Sequence, residues 1–344
     1  MRSALLPHVQ HHARSAAVAA LAGALALGVT ACGSSSSTKK PDAQASEGGN
    51  TFSAVWPLTG EPVTGKLPKH PIVAVKIPNT AESSPQAGMA DADMVSEELV
   101  EGGITRLAVF FDSKIPDLAG PVRSMRASDI PIVRPLRATI VSSGAAPVTL
   151  NRLTRAGVPF LTGGTGYFRD SGRIAPYNLM VHLKDLVKSL RPVKKAATPY
   201  LPWGEESDFT GTAKARSIAV KMSSFRTSQW KFAGNHYVNT NSYAPTGQQF
   251  LPDTIVVLRV HEGNAGYLDP AGNPVPETKM TGTGKVFVFH NGKVQRGTWS
   301  KASVDAQLEL KTKAGAEMKI PAGHTYIELT PVDKDGGALS WTKR

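Results

Sequence analysis

A chain of 344 residues with 41% hydrophobic residues can bury the cores of two ordinary domains. Its single cysteine, Cys32, excludes internal disulfides, a structural zinc cage and Cys-X-X-Cys redox chemistry. The formal charge is +12, and +10 remains once Arg2 and Arg14, the only bases ahead of Cys32, are set aside; that surplus points to acidic partners such as nucleic acid, anionic headgroups or anionic wall polymers.

The chain opens with Arg2 and Arg14, then the apolar run "SAAVAALAGALALGVTA", too short for a comfortable membrane span. A charged start, an apolar middle and small closing residues make a secretory signal over residues 1–31. "VTAC" (Val29 to Cys32) resembles the lipobox of bacterial lipoproteins, in which the cysteine is acylated and becomes the new N-terminus. Acyl chains each contribute about 0.8 kcal/mol per buried methylene, so two or more hold a protein stably at a membrane. "GSSSSTKKPDAQASEGGN" follows and carries no apolar residue larger than alanine. Residues 32–50 therefore read as a disordered tether, spanning roughly 25 Å as a flexible coil. Cys32 is an expected lipid attachment point, and the expected location is the extracytoplasmic face of the cell membrane.

From residue 51 to 195 strand and helix signals alternate. "IVAVKI" (Ile72 to Ile77) is a β-branched run ending at Pro78, and "MVSEELVEGGITRLAVFFD" reads as a hairpin around Gly102-Gly103. Glu97 and Glu98 lower the β-propensity of its first arm, which leaves a helix as the other reading. "ATIVSS" and "VPFLT" are strands, and "PVTLNRLTRAG" is a short helix stopped by Gly157. "NLMVHLKDLVKSL" places Leu179, Leu183, Leu186, Val187 and Leu190 on one stripe of an amphipathic helix. Three prolines without periodicity between Arg191 and Ser207 set a boundary. Residues 205–344 are β-rich, with Asn291-Gly292 and Ala314-Gly315 as hairpin turns.

Charge is uneven along the first half. Ile77 to Asp112 carries seven acids against one base, whereas Lys114 to Lys195 carries fourteen bases, nine of them arginines, against four acids. Arginine's planar fork suits bidentate contact with carboxylate or phosphate. The strings "PLTGEPV", "SPQAGMADADMVSEELVEGGITRLAVFF", "GPVRSMRASD", "RIAPYNLM" and "GTGKVFVFHNGKVQRGTWSK" resemble the YerB-like family of bacterial lipoproteins, from Trp56 to Pro331. The resemblance implies a mixed, layered α/β N-terminal domain and a smaller β-rich C-terminal domain, and it implies no reaction. Pro78 and Tyr177 depart from the family pattern, where an aspartate and a histidine are common.

The polar set Glu98, Glu101, Arg106, Arg123, Arg126, Asp129, Arg169, Arg173 and Asn178 is the candidate site. Ser128 and Asp129 are suited to cap a short helix whose N-terminus favours an anion, and the loop "GGTG" (Gly163 to Gly166) could add a phosphate cradle. The same residues also suit an internal network in which Glu98 and Glu101 neutralise Arg106 and Arg123. Arg123 is the residue expected to be structural, and Arg126 the one expected to face a ligand. No G-x-S-x-G is present, and "SQWK" (Ser228 to Lys231) lies in a strand-like stretch without K-T-G. The histidines after the signal are isolated, so no metal and no cofactor is expected. Two functions remain. One is a binding or scaffold lipoprotein for an anionic cell-wall polymer or envelope protein, without nucleic acid as partner. The other is a hydrolase or transferase acting on phosphate- or carboxylate-bearing wall precursors.

Overall fold

The computed structural model describes residues 54–343, so the signal segment, Cys32 and the tether lie outside the described residues. Within the first half, chain order gives β1 (Val73–Asn79), β2 (Met94–Leu99), β3 (Thr105–Phe111), β4 (Leu118–Ala119), α1 (Asp129–Val133), β5 (Thr139–Val141), α2 (Pro147–Arg155), β6 (Phe160–Leu161), β7 (Tyr167–Arg169), β8 (Leu179–His182) and α3 (Leu183–Ser189). The second half continues with β9 (Trp203–Gly204), β10 (Ala213–Lys214), β11 (Ser217–Lys221), β12 (Thr227–Ala233), β13 (His236–Asn239), β14 (Thr254–Leu268), β15 (Pro274–Lys279), β16 (Gly282–His290), β17 (Lys293–Lys301), β18 (Glu309–Thr312), β19 (Ile320–Pro321), β20 (Thr325–Pro331) and β21 (Ala338–Thr342). The described residues are mostly sheet, and their α-helices are short, at five, nine and seven residues.

A twelve-stranded sheet runs in the order β10-β17-β16-β14-β20-β2-β3-β1-β5-β6, with β15 added to β14 and β18 to β17. β20, from near the chain end, lies parallel to both β2 and β14 and so joins the two halves through one ladder. β1, β3 and β20 are buried along their whole length. Central strands of that kind read as near-continuous apolar runs, and "IVAVKI" and "TRLAVFF" do so apart from Lys76, Thr105 and Arg106.

Side chains alternate across the sheet. On one face Ile72, Ala74, Met94, Ala108 and Phe110 pack with Ile130 and Ile132 of α1 and Leu153 of α2. On the other face Val73, Val75, Ile77, Val95 and Val109 pack with Leu183 and Leu186 of α3 and with Ile218, Trp230 and Tyr237. The last three belong to a second sheet of four strands, β13-β12-β11-β21. Each of the Val, Leu, Ile, Phe and Met side chains among them contributes about 1.5–3 kcal/mol when fully buried.

The hairpin of β2 and β3 forms as expected, turning through Gly102 and Gly103 at φ 69° and 71°. Asn291 and Gly292, at φ 48° and 66°, close the β16–β17 hairpin, a pair of left-handed residues that Asn-Gly accepts readily. The expected helix over Leu179 to Leu190 is corrected. Leu179–His182 is strand β8, paired with β4 and β7, and only Leu183–Ser189 is helical. Cross-strand partners for the first four residues override their helical spacing.

Candidate functional site

The alternation that builds the core also brings Lys76, Glu98 and Arg106 to the α1 side of β1, β2 and β3, the last two as direct cross-strand partners. Lys76 is fully buried, and its Nζ donates to Glu98 Oε1 at 2.7 Å and to Asp129 Oδ1 at 2.6 Å. Asp129 Oδ2 accepts the backbone N–H of Arg126 at 2.7 Å, which fixes the turn leading into α1. The sequence reading omitted Lys76. The signal was a lysine inside "IVAVKI" in phase with Ile72 and Ala74, and therefore on a core face. Such a cation must meet a carboxylate to be tolerated there.

Glu101, at the hairpin tip, is the second centre. Arg126 Nε donates to Glu101 Oε2 at 2.8 Å and its Nη2 pairs with Oε1, while Arg106 Nη2 stands 3.6 Å from the same Oε1. Arg126 Nη1 also donates to Met125 O at 2.9 Å, and Arg106 Nη1 donates to Ser124 O at 3.0 Å. Burial alone would raise the Glu101 carboxyl, but the hydrogen bond from Arg126 and the charges of Arg106 and Arg126 bring it down to about 2. Glu98 moves the other way: burial and the charge of Asp129 raise it to about 7 against the pull of Lys76. Burial and the neighbouring Arg126 lower Arg106 to about 10. Glu98 Oε2 and Arg106 Nε are buried and without hydrogen-bond partners.

Arg123 makes no ion pair among the described residues; its guanidinium lies 5.3 Å from the centre of the Tyr177 ring, with Nε buried and unpartnered. Arg169 donates to Asn178 Oδ1 at 2.7 Å, and Arg173 pairs with Asp170 at 3.3 Å and donates to Pro85 O at 2.5 Å. These three form local surface contacts around β7 and β8. The candidate set thus separates into a closed core of Glu98, Glu101, Arg106, Arg126 and Asp129 around Lys76, and a peripheral group. The expected assignment of the two neighbouring arginines is reversed: Arg126 is the paired one and Arg123 the unpaired one. The expected helix cap also differs. Ser128 makes no capping bond, and its Oγ accepts Thr278 N–H at 3.0 Å, while Asp129 is occupied by Lys76. Gly163 and Gly164 are exposed and line none of the described depressions.

A long arm of β14 and β15 leans over this core. Arg152 of α2 forks onto Glu277 at 3.1 and 2.5 Å, and Thr149 meets Tyr267 OH at 2.9 Å. Beneath the arm, burial raises Glu262 to about 8; Thr278 Oγ1 donates to it at 3.0 Å and opposes the rise, and the nearby Glu98 adds to it.

A second polar centre occupies the opposite face. Glu97 accepts from Asn79 at 2.9 Å, Thr105 at 2.6 Å, Arg226 at 3.3 Å, Ser228 at 3.1 Å and Tyr326 OH at 2.6 Å. Its cross-strand partner Glu328 is pushed well above the usual carboxylate range by burial and by Glu97, and it accepts from Trp230 Nε1 at 2.9 Å. Ser228 of "SQWK" is therefore a buried donor to Glu97, while Lys231 is exposed on the other face of β12.

None of the described depressions is lined by the Lys76 core. The largest, about 990 Å³, runs between Leu201, Trp203, Leu308, Leu310, Lys311 and Lys319. Among the described residues no three His, Cys, Asp or Glu side chains gather as a metal site requires.

Residues 58–196 match the family model described as "Protein of unknown function (DUF3048) N-terminal domain", and residues 218–327 match the corresponding C-terminal domain. The chain belongs to this family. A Bacillus subtilis (strain 168) relative named "Putative lipoprotein YerB" is 24% identical over 302 residues, spanning 83% of this chain and 88% of the relative. The crystal structure of the YerB protein from Bacillus subtilis superposes with a TM-score of 0.68 at 21% identity, covering 83% of this chain and 99% of that one. The YerB-like fold is thus shared, and the expected two-part family architecture is present.

Two measurements check the geometry of this YerB-like core. Arg126→Ala removes both hydrogen bonds to the Glu101 carboxylate, leaving it only Arg106 at 3.6 Å, and should cost about 3 kcal/mol in urea unfolding, whereas Arg123→Ala, losing only a ring contact, should cost about 1 kcal/mol or less. Equal losses would contradict the pairing. The pH dependence follows from carboxyls that shift in opposite directions. Glu98 and Glu262 titrate at about 7 and about 8 in the fold against 4.5 when free, so their contribution is complete below 4.5 and is lost as pH rises through 7 and 8. Glu101, lowered from 4.5 to about 2, contributes above 4.5 and loses that contribution as pH falls toward 2. The melting temperature should peak near about pH 5 and decline toward about pH 8, with Glu98→Gln and Glu262→Gln flattening the decline. A melting temperature that climbs across that interval would contradict these assignments.

Proposed function

We propose that this protein is a lipoprotein held through Cys32 at the extracytoplasmic face of the membrane, and that its folded part binds an anionic component of the cell envelope. The "VTAC" lipobox and the relative's printed name support the anchor. The observation that carries the binding reading is the distribution of paired and unpaired charge. The acids and bases best suited to chemistry neutralise one another in a closed core, whereas Arg137, Lys194 and Lys195 form no ion pair or side-chain hydrogen bond among the described residues and line open depressions. Unpaired bases on a concave surface recognise anions; a buried network holds strands together.

A second reading, a hydrolase or transferase on phosphate- or carboxylate-bearing wall precursors, draws on Glu98. Its carboxyl is tuned to about 7 beside Lys76 and Arg106, a value suited to acid–base work. Against it, no described depression reaches those groups.

Cell fractionation with an acyl label tests the anchor. Wild type should sediment with membranes and carry the label, and Cys32→Ser should leave the membrane or remain unprocessed and unlabelled. An unlabelled wild type would remove the anchor from the account. Retention on purified cell walls at low salt, reversed by added salt, is the expected signature of the binding role; no retention at any salt concentration would contradict it.

A further inference from the structure

Three adjoining depressions share one residue. Arg137 lines a cavity of about 210 Å³ with Lys194 and Lys195, a second of about 340 Å³ with Arg134 and Lys195, and a third of about 310 Å³ with Arg134. Arg137 ends the turn after α1 with φ 53° and ψ 32°, the left-handed region that favours glycine or asparagine. Two helix-end hydrogen bonds close that turn, Arg137 N–H to Arg134 O at 3.1 Å and Ala138 N–H to Val133 O at 3.3 Å, whereas the Arg137 side chain is exposed and forms no hydrogen bond or ion pair among the described residues.

The charges around it are left over as well. Arg134 is occupied by Asp305 at 2.6 Å, and Arg137 acts on Asp305 only through its charge, without an ion pair. The other acid lining these depressions, Asp112, is buried, and burial with the neighbouring Asp93 pushes its carboxyl up to about 7, which weakens its competition for the bases at neutral pH. Lys194 and Lys195 come from the linker after α3, held to the first half by Val193 N–H donating to Lys69 O at 2.6 Å. Two elements far apart in sequence thus converge on one basic trough.

We infer that the trough around Arg137, Lys194 and Lys195 is a binding site for a flexible polyanion with repeated phosphates, lying along the three depressions. This rests on the binding role proposed above and adds its place and ligand class. An arginine fork and two ammonium groups suit phosphodiester oxygens, and successive concave steps suit a chain rather than the flat surface of a bilayer.

The test uses the full chain in detergent and a poly(glycerol phosphate) probe, with poly-glutamate and phosphatidylglycerol mixed micelles as comparisons. Wild type should bind poly(glycerol phosphate) in a salt-sensitive manner and more tightly than either comparison. Arg137→Gly should weaken binding about tenfold or more while leaving the melting temperature unchanged or higher, because it removes a charged contact and relieves the left-handed strain. Lys195→Gln should weaken binding in the same direction. Binding that survives Arg137→Gly, or that is equal for poly-glutamate or for the micelles, overturns the site and ligand class. Retention on whole walls by a chain that ignores the phosphate polymer would keep the broader binding role and sink only this inference.

Discussion

The ammonium group of Lys76, buried at 0% exposure between Glu98 and Asp129, is the contact on which the architecture depends. It ties β1 to β2 within the sheet and both to the turn that begins α1. Taking three charges out of water is costly, and their attraction offsets that cost only with short contacts and filled hydrogen-bond positions. Asp129 meets both conditions, through Lys76 and the Arg126 N–H. Glu98 meets one, its Oε2 having no hydrogen-bond partner, and burial with the charge of Asp129 raises its carboxyl to about 7. Arg126 then carries the network outward to Glu101 and the hairpin tip.

The neighbouring glutamates of "SEEL" organise the two faces of the sheet. Because strand side chains alternate, Glu98 points toward α1 while Glu97 points toward the four-stranded sheet, where Arg226, Ser228 and Tyr326 enclose it. Glu97 draws its partners from β1, β3, β12 and β20, so this carboxylate joins residues spread across both family segments. Together the two centres give the mostly apolar interior fixed registers, since a slip of one residue would turn each glutamate to the wrong face.

Much of this was legible in the sequence, and the misses have specific causes. The β2–β3 hairpin was visible because Gly102-Gly103 offers left-handed residues between apolar runs, and Asn291-Gly292 was visible for the same reason. Of the nine candidate residues, Glu98, Glu101, Arg106, Arg126 and Asp129 meet in the core, whereas Arg123, Arg169, Arg173 and Asn178 make separate contacts outside it. Their pairing was not legible, because Arg123 and Arg126 are chemically alike and only the path of the turn decides which one reaches Glu101. Lys76 was readable from its phase within "IVAVKI" but was passed over as part of an apolar strand. β8 was taken for helix because its partners, β4 and β7, are supplied by tertiary structure. The place of β20 between β2 and β14 has no local signal at all, since a parallel neighbour leaves no turn in the sequence. Arg137 could not be singled out among nine arginines of its region until its backbone angle was known.

The division of labour is therefore one of charge. Bases in the middle of the sheet are neutralised and structural, while Arg137 after α1 and Lys194 and Lys195 after α3 form no ion pair among the described residues. The most direct measurement of this account is denaturant unfolding of Lys76→Met beside the triple variant Lys76→Met/Glu98→Gln/Asp129→Asn. The single change should cost about 3–5 kcal/mol by leaving two carboxyls without their cation, and the triple change should recover most of that loss. A single variant within about 1 kcal/mol of wild type, or a triple variant no more stable than the single, would contradict the central place given to Lys76.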